Sequence, residues 1–328
     1  MKIVSIIGTR PQYIKIKPLY DRFKQNNVNH VVIDTLQHYS DAVSRDIIND
    51  LDLKIDYNVV VPKNNEIEFI ANTIKELQNI LILEKPDYIL VLGDTNSTFC
   101  AGLVGYKLKI PVCHIEAGLR CGNFLIPEEI NRIYADSVST INFCSSPEAL
   151  SGVSNGIFCG DLEYELLNII NPEICTSNYG VMTIHRQLNT NVDRLSLILQ
   201  FCKSLEKEII FPAHHRVKPL LNQVSIPDNI KIIEPLCYTE MVKLMGASNF
   251  IITDSGGIQK TSAFFGKRTL VFRKNIEWNE TERDGFCKRF ETFNQDKEWV
   301  LSPLNKRDKR LFLAPLMPSE IIYEEIFK

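Results

Sequence analysis

Short runs rich in Ile, Leu and Val alternate with helix-like segments along almost the whole of this chain, and few folds accommodate that alternation. Strands are predicted at Ile3–Ile7, His30–Thr35, Asn58–Val61, Tyr88–Leu92, Val112–Ile115 and Ile141–Cys144. Helices are predicted between them at Pro11–Lys24, Glu66–Leu83, Ser97–Lys107 and Glu128–Asp136. The runs Tyr88–Leu92 and Pro111–Ile115 are rich in Ile, Leu and Val, as in strands buried on both faces of a parallel sheet. Asn171–Asn178 (NPEICTSN) is polar, carries a proline and reads as a linker. The pattern then restarts, with strands at Tyr179–Ile184, Ile209–Pro212, Ile230–Ile233, Phe250–Thr253 and Thr269–Phe272. Helices fit Val192–Leu205, Tyr238–Met245 and Gly257–Phe265. The expected fold class is α/β, with two Rossmann-like doubly wound domains facing a cleft. Residues 1–170 form the first domain and 171–310 the second; in 311–328 the helix-like Ser319–Phe327 packs back on the first.

With 328 residues and 45% hydrophobic content, the chain can build two cores of ordinary size. A formal charge of −3 leaves no electrostatic footprint for nucleic acid. No apolar run approaches the ~20 residues of a membrane span. The opening MKIVSIIGTRP has an apolar run of about five residues, against the ~7–15 of a secretory signal, and reads as a first strand entering a loop. Cysteines 100, 113, 121, 144, 159, 175, 202, 237 and 287 are odd in number, and no two are separated by only two residues. Free thiols and a cytoplasmic location are therefore expected.

Chemistry concentrates between Gly93 and Arg132. GDTNSTF places Asp94 just after the Tyr88–Leu92 run, HIEAGLR places Glu116 just after Val112–Ile115, and PEEINR adds Glu128, Glu129 and Arg132. In open α/β sheets ligands bind beyond the carboxyl ends of the strands, so successive carboxylates there read as the wall of a site. Gly8-Thr9-Arg10-Pro11 leads from the first strand into a helix whose N-terminus, with Arg10 and Lys15 nearby, suits an anion. In the second half His185, then His214, then Asp254-Ser255-Gly256-Gly257 take the same position after their strands. The adjacent glycines let backbone N–H groups approach a phosphate. No G-x-G-x-x-G and no P-loop follows a strand, which removes the simple redox and NTPase readings, and no His or carboxylate pair has tight metal-ligand spacing. Neither cofactor nor metal is expected.

Together GTRPQYIKIKPL, TLQHYSD, GDTNSTF, HIEAGLR, PEEINRIYADSVS, TIHRQLN, FPAHHRVK and TDSGGIQK run from end to end and resemble the non-hydrolysing UDP-N-acetylglucosamine 2-epimerases. The resemblance implies a glycosyltransferase-B-like fold, a homodimer, a UDP-sugar substrate and no redox cofactor. It also implies a reaction. The C2 proton of such a sugar has no neighbouring carbonyl to acidify it, so UDP is eliminated across C1–C2 to give 2-acetamidoglucal, then re-added with C2 inverted. That route needs acid/base groups about the sugar and donors on the departing diphosphate. On the matching positions, Asp94, Glu116 and Glu128 would be the acid/base carboxylates, and His185 would support the chemistry or the diphosphate. Arg10, Ser255 and Gly256 would hold the UDP, with Lys15, Arg132, His214 and Gly257 in the same site. Glu129 would face away and brace its helix.

Some positions depart from the family pattern. Lys260 and Thr261 stand where two glutamates usually follow SGGIQ, the second gripping the ribose; Ile276–Glu280 replaces the usual TERPE; HRQLN stands for HRREN or HRPEN. With the carboxylates intact, these changes point to altered specificity, and a UDP-6-deoxy-L-hexosamine such as UDP-N-acetyl-L-rhamnosamine is an alternative substrate. A hydrolysing epimerase, a glycosyltransferase on the same scaffold and an inactive UDP-sugar-binding protein are the competing readings. Gln37-His38 is followed by Tyr39-Ser40 in place of a longer glutamine-containing motif, so an activator site for UDP-GlcNAc is expected to be absent or changed.

Overall fold

Strand and helix alternate from the first residues. The computed structural model describes residues 1–37, 41–174, 177–273, 279–304 and 317–328. The chain divides into two units, Met1–Leu166 with Ala314–Lys328, and Leu167–Leu313. The first begins β1 (Lys2–Ile7), α1 (Arg10–Gln25), β2 (Asn29–Asp34), α2 (Asp41–Asp50), β3 (Tyr57–Asn58), α3 (Glu66–Glu84) and β4 (Tyr88–Leu92). It continues with α4 (Asn96–Leu108), β5 (Val112–Ile115), α5 (Pro127–Val138), β6 (Ile141–Cys144) and β7 (Gly156–Phe158), and α6 (Leu162–Ile170) runs across the division. These strands form one parallel sheet in the order β3-β2-β1-β4-β5-β6-β7.

The second unit contains β8 (Tyr179–Thr183), α7 (Val192–Ser204), β9 (Glu208–Pro212), α8 (Lys218–Leu221), β10 (Ile230–Ile233), α9 (Tyr238–Ala247) and β11 (Phe250–Thr253). After them come α10 (Gly256–Phe264), β12 (Arg268–Val271), α11 (Asn279–Arg283), β13 (Cys287–Arg289) and α12 (Phe293–Leu301). Its parallel sheet runs β10-β9-β8-β11-β12-β13. The order of each sheet reverses at one place, between β1 and β4 in the first and between β8 and β11 in the second. Loops diverge there, and a doubly wound sheet offers a ligand its crevice.

The strands are buried because they are covered on both faces: Ile3, Val4, Ile6, Ile7 and Ile89 to Leu92 have no exposed surface. Helices meet the sheet by one stripe, which on α3 is Phe69, Thr73, Leu77 and Leu81, spaced by one turn. Asn65 caps that helix by accepting from Glu68 N at 2.9 Å. Helix α13 (Pro318–Ile326) packs on α1, with Phe23 beside the stacked Tyr323 and Phe327 at ring separations of 6.4 and 6.5 Å. Ser319 fixes it to α6 by donating its backbone N–H and hydroxyl to Glu165, at 2.7 and 2.5 Å.

Three expectations differ from the structure. The strand expected at Asn58–Val61 is the two-residue Tyr57–Asn58, paired with Ile33 and Asp34, and one further bond, from Val59 N to Asp34 O at 2.8 Å, ends it. The edge strands β7 and β13, each three residues long, lie below the length at which apolar periodicity is readable. Helices α2, α6, α8, α11 and α12 are further elements beyond those expected from the sequence. In 171–178, residues 171–174 have no regular structure, and Cys175 and Thr176 lie outside the described residues.

His30, on β2, is held by Ser5 Oγ 2.8 Å from its Nε2, and burial lowers its pKa from 6.5 to about 4. The unfolded chain takes up this proton near 6.5, the folded protein only near 4, so within that window each step down in pH favours unfolding. The urea midpoint should therefore fall between pH 6.5 and 4, and H30Q should flatten that part of the curve. An unchanged slope in H30Q would remove His30 as its source.

Candidate active site

The loops leaving β1, β4 and β5 meet because small and polar residues allow a close approach. At Gly8 a Cβ would lie 2.0 Å from Thr35 Oγ1 and 2.5 Å from Ser97 Oγ, so only glycine fits. Gln12, buried on α1, accepts from Gly8 N and Thr9 N at 2.9 and 3.1 Å and donates to Leu92 O at 2.7 Å. One side chain thus ties the ends of β1 and β4. Its motif PQYIK is visible in the sequence, but no pattern reveals a buried glutamine as a tie.

Lys15 Nζ lies 2.5 Å from Glu116 Oε1, both side chains 11% exposed. Arg132, on α5, donates to Glu116 O at 2.7 Å and pairs with the Asp94 carboxylate. Four sequence-predicted residues, Lys15, Asp94, Glu116 and Arg132, therefore come together, two carboxylates each held by a cation. Glu116 itself is left-handed, with φ +65°, a cost that a non-glycine residue bears when its surroundings impose it. Gly93 makes room for it: a Cβ there would approach Glu116 Oε2 to 3.3 Å.

Glu128 is exposed, and its side chain makes no hydrogen bond or ion pair with the described residues. It stands four residues before Arg132, hence on the same face of α5. Glu129 does not brace its own helix. It is buried and accepts from the backbone N–H groups of Cys121 and Gly122 at 2.9 and 3.0 Å, shaping the loop before α5. Burial would raise its pKa, but those N–H donors and Arg120 hold it below the usual carboxylate range. Arg10 opens α1 and is exposed.

In the second unit His185 follows β8 and His214 follows β9, with their rings 5.8 Å apart. Asp254, fully buried, accepts from the N–H groups of His185 and Arg186 at 3.0 and 2.9 Å and from Asn189 Nδ2 at 3.0 Å. Burial works against its charge, yet His185 and Asn189 hold its pKa below the usual value. His185 Nδ1 lies 3.2 Å from Asp254 Oδ1, and a carboxylate can only accept, so Nδ1 carries the proton and Nε2 is left for other partners. The motif TDSGG contains Asp254, but nothing in its pattern assigns the residue this part. Ser255 caps α10, its Oγ accepting from Ile258 N at 3.5 Å. Gly256 is buried, while Gly257 is exposed, and a Cβ there would meet nothing within 4 Å.

Of the departing positions, Lys260 is buried, and the Thr261 hydroxyl bonds back to Gly257 O at 3.1 Å within its own helix. Residues 38–40 and 274–278, where the activator motif and most of the replaced TERPE segment fall, lie outside the described residues. Burial pushes the thiols of Cys100, Cys113 and Cys287 up to about 12, so they are not nucleophiles at neutral pH. Among the described residues no helix is long and apolar enough to cross a membrane.

The family model described as UDP-N-acetylglucosamine 2-epimerase matches residues 21–156 and 160–302. A UDP-N-acetylglucosamine 2-epimerase homolog of Methanococcus maripaludis is 36% identical over 314 residues, covering 87% of each chain. A UDP-2,3-diacetamido-2,3-dideoxy-D-glucuronate 2-epimerase of Pseudomonas aeruginosa is 32% identical over 306 residues, covering 85% of each. The crystal structure of Methanocaldococcus jannaschii UDP-GlcNAc 2-epimerase in complex with UDP-GlcNAc and UDP matches with a TM-score of 0.77 at 30% identity, covering 100% of both chains. Fold and likeness together define an isomerase built on two doubly wound, glycosyltransferase-B-like units. The chain belongs to the UDP-N-acetylglucosamine 2-epimerase family, as the resemblance of its motifs implied.

Proposed function

We propose that this enzyme is a non-hydrolysing UDP-N-acetylhexosamine 2-epimerase, inverting C2 by elimination of UDP to a 2-acetamidoglucal and re-addition. The observation that carries the reading is the pairing of Asp94 and Glu116 with Arg132 and Lys15 at the ends of β4 and β5. Elimination requires a base at C2 and an acid or cation for the oxygen leaving C1; re-addition requires the same groups in reverse, with C2 protonated from the opposite face. Asp94, Glu116 and Glu128 serve as the acid/base carboxylates. Arg10, with the backbone N–H groups at Ser255, Gly256 and Gly257, holds the UDP moiety, and Lys15 and Arg132, paired with the carboxylates, line the site. His185, oriented by Asp254, and His214 act on the same moiety.

A second substrate reading has support in the relative that is a UDP-2,3-diacetamido-2,3-dideoxy-D-glucuronate 2-epimerase, and in Lys260 and Thr261 replacing the usual glutamates. The substrate panel is therefore UDP-GlcNAc, that diacetamido uronate and a UDP-6-deoxy-L-hexosamine. The enzyme acts as a homodimer in the cytoplasm; the exposed apolar Phe124, Leu125 and Ile130 offer a surface for a second copy, and free thiols suit a reducing compartment. Product analysis by phosphorus and proton NMR tests the reaction. A C2-inverted sugar still attached to UDP is expected from at least one member of the panel. Free N-acetylhexosamine with UDP would make the enzyme a hydrolase, and no change with any member would favour a binding protein.

A further inference from the structure

We propose that His114 donates from both ring nitrogens, as an imidazolium, and that this buried cation is a positioning residue for the loops bearing Asp94 and Glu116. The proposal rests on reading those two carboxylates as the acid/base pair. His114 lies on β5 with no exposed surface. Its Nε2 is 2.7 Å from the carbonyl oxygen of Gly93, and its Nδ1 is 2.7 Å from Asp136 Oδ1. A carbonyl can only accept, so Nε2 carries a hydrogen. Asp136 already accepts from Gly118 N at 3.2 Å and from the Arg120 guanidinium at 2.6 Å. A carboxylate surrounded in this way is ionised and can only accept, so Nδ1 carries a hydrogen too. A neutral imidazole has one such hydrogen; this ring needs two.

The opposite assignment, a neutral ring beside a protonated Asp136, would add a hydroxyl hydrogen to a carboxyl that the Gly118 N–H and Arg120 already approach as donors. The balance of forces on Asp136 agrees: burial would raise its pKa, but the bonds from His114 and Arg120 hold it below the usual range. Charge-assisted bonds of this kind are about twice as strong as neutral ones, and a buried ion pair is retained where its geometry is fully satisfied.

Its place in the fold gives the cation its use. Gly93 directly precedes Asp94, and Glu116 lies two residues beyond His114. Asp136 stands one helical turn after Arg132, the residue that holds the Asp94 carboxylate and the Glu116 carbonyl. The His114–Asp136 pair therefore joins the ends of β4 and β5 to α5, and the three carriers of the site become one rigid piece. A core ion pair that served stability alone would leave turnover unchanged when replaced in a folded variant.

Nitrogen NMR of the protein with 15N-labelled histidine at pH 8, where an ordinary histidine is neutral, decides the charge. One histidine should show two protonated ring nitrogens, should vanish in H114Q and should become neutral in D136N. H114Q should lower kcat ~10²-fold, the scale of a misplacement of about 1 Å, with KM within a few-fold. If H114Q does not fold, D136N carries both measurements. A His114 ring with one bare nitrogen at pH 8 overturns the proposal, as does wild-type kcat in the folded variant. A wild-type protein that turns over no UDP-sugar would remove the functional reading, and the nitrogen spectrum would then decide the charge of His114 alone.

Discussion

Glu116→Gln is expected to abolish exchange of the C2 proton while leaving affinity for UDP within a few-fold of the parent. The amide keeps the shape of the side chain and removes its basicity and its charge. Lys15 Nζ, 2.5 Å from Glu116 Oε1, then loses its counter-charge, while the backbone carbonyl that accepts from Arg132 stays where it is. Positioned proton transfer contributes ~10²–10⁴-fold, and a loss of at least that size is expected in kcat. UDP lacks the sugar on which Glu116 acts, so calorimetric titration with UDP should change little. Turnover near the parent rate would remove Glu116 from the mechanism and leave its left-handed backbone, φ +65°, without a chemical reason.

Gly118→Ala should have the largest effect on stability. Gly118 has φ +79°, and a Cβ there would lie 2.0 Å from the carbonyl oxygen of Ala149. The conformation alone costs an alanine about 1–2 kcal/mol, and the obstacle is backbone that cannot rotate away. Forced overpacking adds ~1–3 kcal/mol, so a total of about 2–5 kcal/mol is expected. The turn that follows Glu116 and the 3-10 turn at Glu148–Gly152 would have to part. Gly152 meets the same limit from the other side, with its Cβ position 2.1 Å from Gly118 O. Denaturant unfolding of Gly118→Ala and Gly122→Ala makes the comparison, since Gly122 has φ +71° but open space around it. Equal losses in the two would mean that conformation, not the Ala149 contact, sets the cost.

The strands next to the site were the most legible part of the chain. Tyr88–Leu92 and Val112–Ile115 have the same bounds in sequence and structure, because a run rich in Ile, Leu and Val ended by a glycine or a charge leaves little latitude. That fixed Asp94 and Glu116 just past strand ends. Which cation each carboxylate meets was not legible, since Lys15 and Arg132 reach them from helices far apart in sequence. His114 sits inside an apolar run and reads as an ordinary core histidine; only the two acceptors facing its ring give it a different meaning. Gln12, Asp254 and Asn189 escaped for a related reason. Each has among its partners a backbone group of another loop, and backbone groups leave no mark on a sequence pattern.

Incubating the enzyme with each UDP-sugar of the panel in D₂O, and following C2 by proton NMR, addresses the reaction most directly. Loss of the C2 proton signal in recovered substrate and in its epimer, with the UDP linkage intact in both, is the expected result. Inversion at C2 with the original hydrogen retained would contradict a route in which carboxylates take that proton and solvent returns it.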